Sequence, residues 1–213
     1  MPEASAKLIA AGMGRSARSR TATCSAKPPK PVPPNTRSPG LKRVTRKAHS
    51  DARGFISRIF CDAELAEAGW HGPIRQINHA RTVRSGALRG MHYQRPPHCE
   101  MKLVSCIRGE VWDVAVDVRA GSPTFLKWHA ERLSEDNQHA LLIPEGFAHG
   151  FQAITDNVEL LYCHSAPYVP GHEAALNPLD MRLGIPWPLP VTEMSERDRN
   201  YPMLSDSFEG IAL

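Results

Sequence analysis

The sequence lacks any run of 18 or more apolar residues, so no transmembrane helix is expected. It has no CxxC pair. Its five cysteines (Cys24, Cys61, Cys99, Cys106 and Cys163) are odd in number and irregularly spaced, which argues against a disulfide framework and against a structural zinc site. Reduced thiols in a cytoplasmic protein are the expectation. The N-terminus has no long apolar segment of the kind a secretory signal needs. There is no GxGxxG fingerprint, so nothing in the chain calls for a dinucleotide redox cofactor. Acidic residues are nearly missing from the first fifty positions, where eleven Lys or Arg face Glu3 alone; the remaining 163 residues carry a net −6. The basic character therefore belongs to the leader. For the folded part, neither nucleic acid nor membrane is expected as a partner.

What is present divides at about residue 41. Residues 1–40 are rich in Ala, Ser, Arg and Lys, and residues 27–40 hold six prolines, so this stretch is expected to be a disordered basic leader. It reads as a tail touching acidic partners, as a targeting peptide or as an upstream start; a leader without function is the reading we favour. Residues 41–213 are long enough for one domain with its own core. Short strand-like runs follow one another at intervals of 8–15 residues: 53–60, 101–107, 110–118, 124–133, 139–144, 147–154 and 158–165. Turn residues separate them, which predicts an all-β sandwich or barrel. Arg108-Gly109 between two such runs predicts a hairpin. In 110–118, Trp112, Val114 and Val116 share one face, and Val111, Asp113, Ala115 and Asp117 the other. If Asp113 points inward, the interior must be polar and open enough to hold a ligand. One helix is predicted over 62–69, with Asp62 as N-cap and Gly69 at its end. The tail from 171 is predicted to wrap over the barrel, with a short helix near 194–199.

The string LRGMHYQ (88–94) ends a strand-like stretch on His92. A lone strand histidine is usually packed or half-exposed, but Lys102, His149, Tyr162 and Asp198 give this one companions able to move protons beside a ketone. The segment IPEGFAHGFQ (143–152) resembles the second half-motif of the cupins, a double-stranded β-helix or jelly roll. Metal cupins pair it with two histidines separated by one residue. Here Gln94 stands in the second place, and His92 with His149 is too small a ligand set, so no metal is expected.

Together, DARGF (51–55), residues 76–94, 102–125 and 141–151, ELLYCHSAPYVPGHE (159–173), LGIPWP (183–188) and MSERD (194–198) resemble the dTDP-4-dehydrorhamnose 3,5-epimerase family over roughly four fifths of the chain. The resemblance implies a cofactor-free cupin jelly roll with a few short helices, commonly a homodimer. It implies that His92 is the catalytic base and Asp198 its carboxylate partner. Tyr162 would be the general acid on the opposite side of the sugar, and Lys102 would lie near the 4-keto oxygen. Arg89, Gln76, Asn78, His149 and Tyr168 would contact the nucleotide sugar, Asp113 would line the pocket, and Arg53 would reach the diphosphate, often from the partner subunit. The chain departs from the family pattern at Ile56 and Arg58, where an aromatic and a glutamate are usual. It departs again at Cys99 and Glu100, which replace a small residue and a glutamine, and at NPLDM (177–181), which lacks a tryptophan.

These groups suit a nucleoside-diphosphate 4-keto-6-deoxy sugar such as dTDP-4-keto-6-deoxyglucose. The C–H bonds at C3 and C5 flank the ketone, and removing either proton places charge on its oxygen. Histidine suits the base, because its neutral form is populated near working pH. A carboxylate fixes its tautomer, a neutral phenol can reprotonate the other face, and an ammonium stabilises the enolate. Arginine forks match phosphate oxygens. Epimerisation at both carbons is the leading expectation. Alternatives are a single-centre epimerase, a ketoisomerase on the same barrel and a non-catalytic sugar-binding cupin.

Overall fold

A computed structural model describes residues 38–213; the leader expected over 1–40 lies outside the described residues up to position 37. At the edge of the described chain Ser38 is buried and its carbonyl accepts the Leu41 N–H. Strands β1 (Lys42–Thr45), β2 (Ala48–Asp51) and β3 (Gly54–Ser57) precede helix α1 (Asp62–Ala68). Then come β4 (Gln76–Thr82), β5 (Leu88–Gln94), β6 (Lys102–Arg108), β7 (Glu110–Asp117), β8 (Trp128–Ser134), β9 (His139–Ile143), β10 (Phe147–Ala153), β11 (Val158–His164) and β12 (Glu173–Ala175). Helix α2 (Glu196–Arg199) follows near the end. Two five-stranded antiparallel sheets, β1-β9-β6-β11-β4 and β12-β5-β10-β7-β8, face each other as a jelly roll, and β2-β3 form a separate hairpin. Among the described residues no helix is long and apolar enough to cross a membrane.

The two sheets close on Val104, Cys106, Leu141, Ile143 and Leu160 from one side and Val111, Ala115, Leu133, Phe151 and Ala153 from the other. Both outer faces are covered as well. Helix α1 and the residues after it lay Leu65 and Trp70 on Leu103, Ala140 and Leu142. The C-terminal tail lays Leu176, Leu183, Ile185 and Ile211 on Trp112, Val114 and Val116, so it wraps the second sheet as the sequence predicted. Burial on both faces is why the central strands read as near-continuous apolar runs rather than as clean alternation. The split of β7 into two faces holds, and Asp113 does point into the barrel, fully buried.

Two sequence expectations need correction. Arg108-Gly109 is not a hairpin: β6 pairs with β9 and β11, while β7 pairs with β8 and β10, so the chain turns from one sheet into the other at Gly109. Gly109 has φ +72, and a Cβ there would meet Thr155 Oγ1 at 2.5 Å, so the corner is packed too closely for a side chain. Helix α1 is capped by Cys61, whose carbonyl accepts the Leu65 N–H; Asp62 is the first helical residue. Its carboxylate, with Glu64, still suits the positive end of the helix dipole. Gly69 closes the helix in the left-handed conformation, where its N–H donates to Ala66 O and that of Trp70 to Leu65 O.

Candidate active site

The open end of the barrel holds a cavity of about 1400 Å³. Strand β5 supplies Arg89 and His92, β6 supplies Lys102, β10 His149, β11 Tyr162, and β4 Gln76 and Asn78. Tyr168 comes from the loop after β11, and Asp198 from α2. Nine of the eleven residues singled out in the sequence therefore line one cavity. Asp113 stands behind it, its Oδ1 2.8 Å from His149 Nε2, while Oδ2 is buried and has no partner among the described residues. Arg53 is not brought to this cavity. It sits on the turn of the exposed β2-β3 hairpin, where its guanidinium donates to the Asp51 carboxylate.

The His92 ring is oriented by α2. Ser195 caps that short helix by accepting the Asp198 N–H, which turns the Asp198 carboxylate inward to within 2.7 Å of His92 Nε2. Arg197 Nη2 also stands 3.3 Å from Nε2. A carboxylate can only accept and a guanidinium can only donate, so Nε2 cannot serve both; the shorter contact favours a hydrogen on Nε2, the tautomer in which Nδ1 is the ring's acceptor. Lys102 Nζ donates to the His92 carbonyl at 3.1 Å and pairs with Glu100 Oε1 at 3.0 Å. Tyr162 is half-buried, with its ring 5.9 Å from that of His149 and 6.1 Å from that of His164.

A family model described as dTDP-4-dehydrorhamnose 3,5-epimerase matches residues 35–206. The chain belongs to the dTDP-4-dehydrorhamnose 3,5-epimerase family. A member from Mycolicibacterium smegmatis is 39% identical over 79% of this chain and 83% of its own. The crystal structure of an epimerase from Legionella pneumophila in complex with dTDP-4-keto-L-rhamnose is 37% identical, with TM-score 0.78, over 84% of this chain and 96% of that one. A 3′-monoepimerase from Streptomyces bikiniensis in complex with dTDP-quinovose is 37% identical, with TM-score 0.73, over 78% of this chain and 85% of that one. Family membership settles the enzyme class as an epimerase on the cupin jelly roll.

For a member of this family the electrostatics of the cavity are directional. Burial pushes the Asp198 carboxyl up, but its bond to His92, the His92 charge, the Gly90 N–H and Ser195 outweigh it and hold it below the usual carboxylate range. Burial, with the Asp113 charge, raises the Tyr162 phenol well above its ordinary value, against the opposing pull of Arg89. The phenol therefore keeps its proton at neutral pH. His164, which also lines the cavity, is pushed down to about 4 by burial and by the Lys102 and His149 charges, so it is a neutral imidazole at neutral pH.

Sequence reasoning did not assign a role to Glu100, His164, Glu173 or Arg197, all of which line the cavity. His164 had a legible signal, since it lies two residues after Tyr162 on the same strand face. Arg197 adjoins Asp198 in sequence and bridges to Glu173 at 2.8 Å. Gln94, in the place where a metal cupin would have its second histidine, uses its side chain to hold the Glu100 carboxylate and the backbone of the 167–169 loop.

Proposed function

We propose that this protein epimerises a nucleotide-linked 4-keto-6-deoxy sugar at C3 and C5 through an enolate, with dTDP-4-keto-6-deoxyglucose or a close relative as substrate. The observation that carries this reading is the joint lining of one cavity by a carboxylate-oriented His92, a neutral Tyr162 and the Lys102 ammonium. In each half-reaction His92 Nδ1 takes the proton from carbon. The C–H electrons form a C=C bond and the carbonyl π electrons move to the ketone oxygen, where Lys102 stabilises the charge. The Tyr162 hydroxyl then delivers a proton to the opposite face of that carbon. Solvent removes the proton from His92 and restores the one lost by Tyr162, so the net change is inversion with no electron lost or gained. Gln76, Asn78, Arg89, His149 and Tyr168 hold the nucleotide sugar, and Asp113 fixes the His149 ring.

The same proposal includes a homodimer in which Arg53 serves the partner's diphosphate. Its support is that Arg53, Phe55 and Ile56 stand exposed on a hairpin away from the cavity of their own chain. It also includes a cytoplasmic location, in keeping with the four free thiols among the described residues. A second reading, epimerisation at one carbon only, is favoured by the similarity to a 3′-monoepimerase.

Incubation with dTDP-4-keto-6-deoxyglucose in D₂O separates these readings. Deuterium at both C3 and C5 is the expected result, and deuterium at one carbon supports the single-centre reading. Tight binding with no exchange points to a sugar-binding protein instead. His92→Ala is expected to abolish exchange, whereas Tyr162→Phe still exchanges but does not invert. Undiminished turnover in His92→Ala would refute the assignment.

A further inference from the structure

We infer that Glu100 is the positioning residue of Lys102: its carboxylate holds the ammonium in the cavity wall, where an N–H bond meets the substrate's ketone oxygen. The inference rests on the epimerase reading above. The two side chains are both almost fully buried, 6% exposed for Glu100 and 8% for Lys102, and they meet at 3.0 Å in the cavity wall. An ammonium has three donors and no acceptor. The His92 carbonyl accepts one of them at 3.1 Å, while Glu100 Oε1 holds the charge from 3.0 Å as an ion pair, so the ammonium is fixed with N–H bonds left for the cavity that Lys102 lines. The His92 carbonyl is backbone of the strand that carries the proposed base, so the contact anchors the cation to that strand.

The carboxylate is itself held from behind. Gln94 Oε1 accepts the Val169 N–H, and Gln94 Nε2 points at the carbonyls of His98 and Pro167, which fixes the orientation of the amide. Gln94 Nε2 then donates to Glu100 Oε2 at 2.9 Å. Position 100 therefore faces two obligate donors, Gln94 Nε2 and Lys102 Nζ. A carboxylate offers each an oxygen, and unlike the glutamine usual at this position in the family it also sets a negative charge beside the ammonium. Lysine is a flexible chain ending in a point charge, and a cation that must meet developing charge is effective only when it is held in place beforehand. A buried ion pair is weak evidence for stability on its own account, but this one leads from the loop at 167–169 through Gln94 and Glu100 to the ammonium.

The test is a double-mutant cycle on purified, folded protein with dTDP-4-keto-6-deoxyglucose, reading deuterium wash-in and product formation. Glu100→Leu, which removes both acceptors where the family's usual glutamine would keep one, is expected to lower kcat about ten- to hundredfold, short of the loss from deleting an oxyanion donor outright, with KM changed less than about threefold. In a Lys102→Met background, Glu100→Leu is expected to change kcat less than about twofold, because its partner is already gone. A loss of the same factor with and without Lys102, or a rise in KM with kcat intact, overturns the role of Glu100. If Glu100→Leu does not fold, Glu100→Asp carries the same cycle, since it keeps both acceptors but not the reach. Absence of exchange in the unaltered protein would instead sink the epimerase reading, so the two failures are distinguishable.

Discussion

At the scale of single residues, the cavity is a set of titratable groups whose charges are settled by their neighbours. His164 gives the sharpest test. In the folded chain it titrates at about 4, whereas an unfolded histidine titrates near 6.5. Between those values the unfolded chain binds the proton and the folded chain does not, so stability is fully present above pH 6.5 and drains away as pH falls toward 4. The difference amounts to about 2–3 kcal/mol by pH 4.5. His164→Val removes this penalty, so the variant is expected to lose that much less stability than the parent between pH 7 and pH 4.5. Urea unfolding midpoints at the two pH values measure it. Parallel losses in the two proteins would show that the imidazole is not held neutral by its surroundings. The carboxylates that titrate lower, Asp198 among them, remain in both proteins and cancel from the comparison.

At the scale of elements, the site depends on how closely β5 and β10 approach. Gly150 faces Gly90 across that pair, and a Cβ on Gly150 would lie 2.5 Å from Met91 Sδ, 2.6 Å from the Arg89 carbonyl and 2.9 Å from Gly90 Cα. Two of those three obstacles are backbone, so the strands themselves would have to part. Gly150→Ala is expected to cost about 2–3 kcal/mol, as overpacked cores do. It should also depress turnover, because β5 carries His92 and β10 carries His149, partners in register across the pair. Unfolding midpoints and kcat on the same preparation check both; unchanged values would mean the approach is not needed.

The same scale shows what the sequence could and could not reveal. Strands β3 and β5 to β11 were legible because short apolar runs ended on turn residues, whereas β1, β2, β4 and β12 were not read as strands; the closing helix was legible from MSERD. The pairing was not: the Arg108-Gly109 signal marks a reversal whether the chain returns beside itself or crosses to the facing sheet. Only the packing of Thr155 and Val158 against Gly109 decides that. The residues that line the cavity were picked out through motif context, since Tyr162 or Lys102 alone is an ordinary strand residue. Glu100 stood out only as a departure from a pattern, because its meaning lies in Gln94 and Lys102, which are linked to it by a hydrogen bond and an ion pair rather than by a readable motif.

At the scale of the whole molecule, the question is whether one chain makes a complete site. Arg53 is exposed and tied to Asp51 on the β2-β3 hairpin, and the same hairpin exposes Phe55 at 63% and Ile56 at 75%. Two large apolar side chains beside an arginine that its own cavity does not use fit a segment that reaches across a two-fold axis. Such an axis makes each site a composite of both chains, and that arrangement predicts complementation. Arg53→Ala alone is expected to bind the diphosphate poorly, and His92→Ala alone to be inactive. Co-refolding the two variants in equal amounts yields heterodimers in which one site carries both defects and the other carries neither. With random pairing about half the dimers are mixed, so about a quarter of all sites regain full activity. If Arg53 acts within its own chain, every site keeps one defect and the mixture shows no gain over the average of its parts. Turnover of the mixture against that average, measured on the dimer fraction from size exclusion, decides between the two arrangements, and a monomeric elution of the unaltered protein would remove the premise.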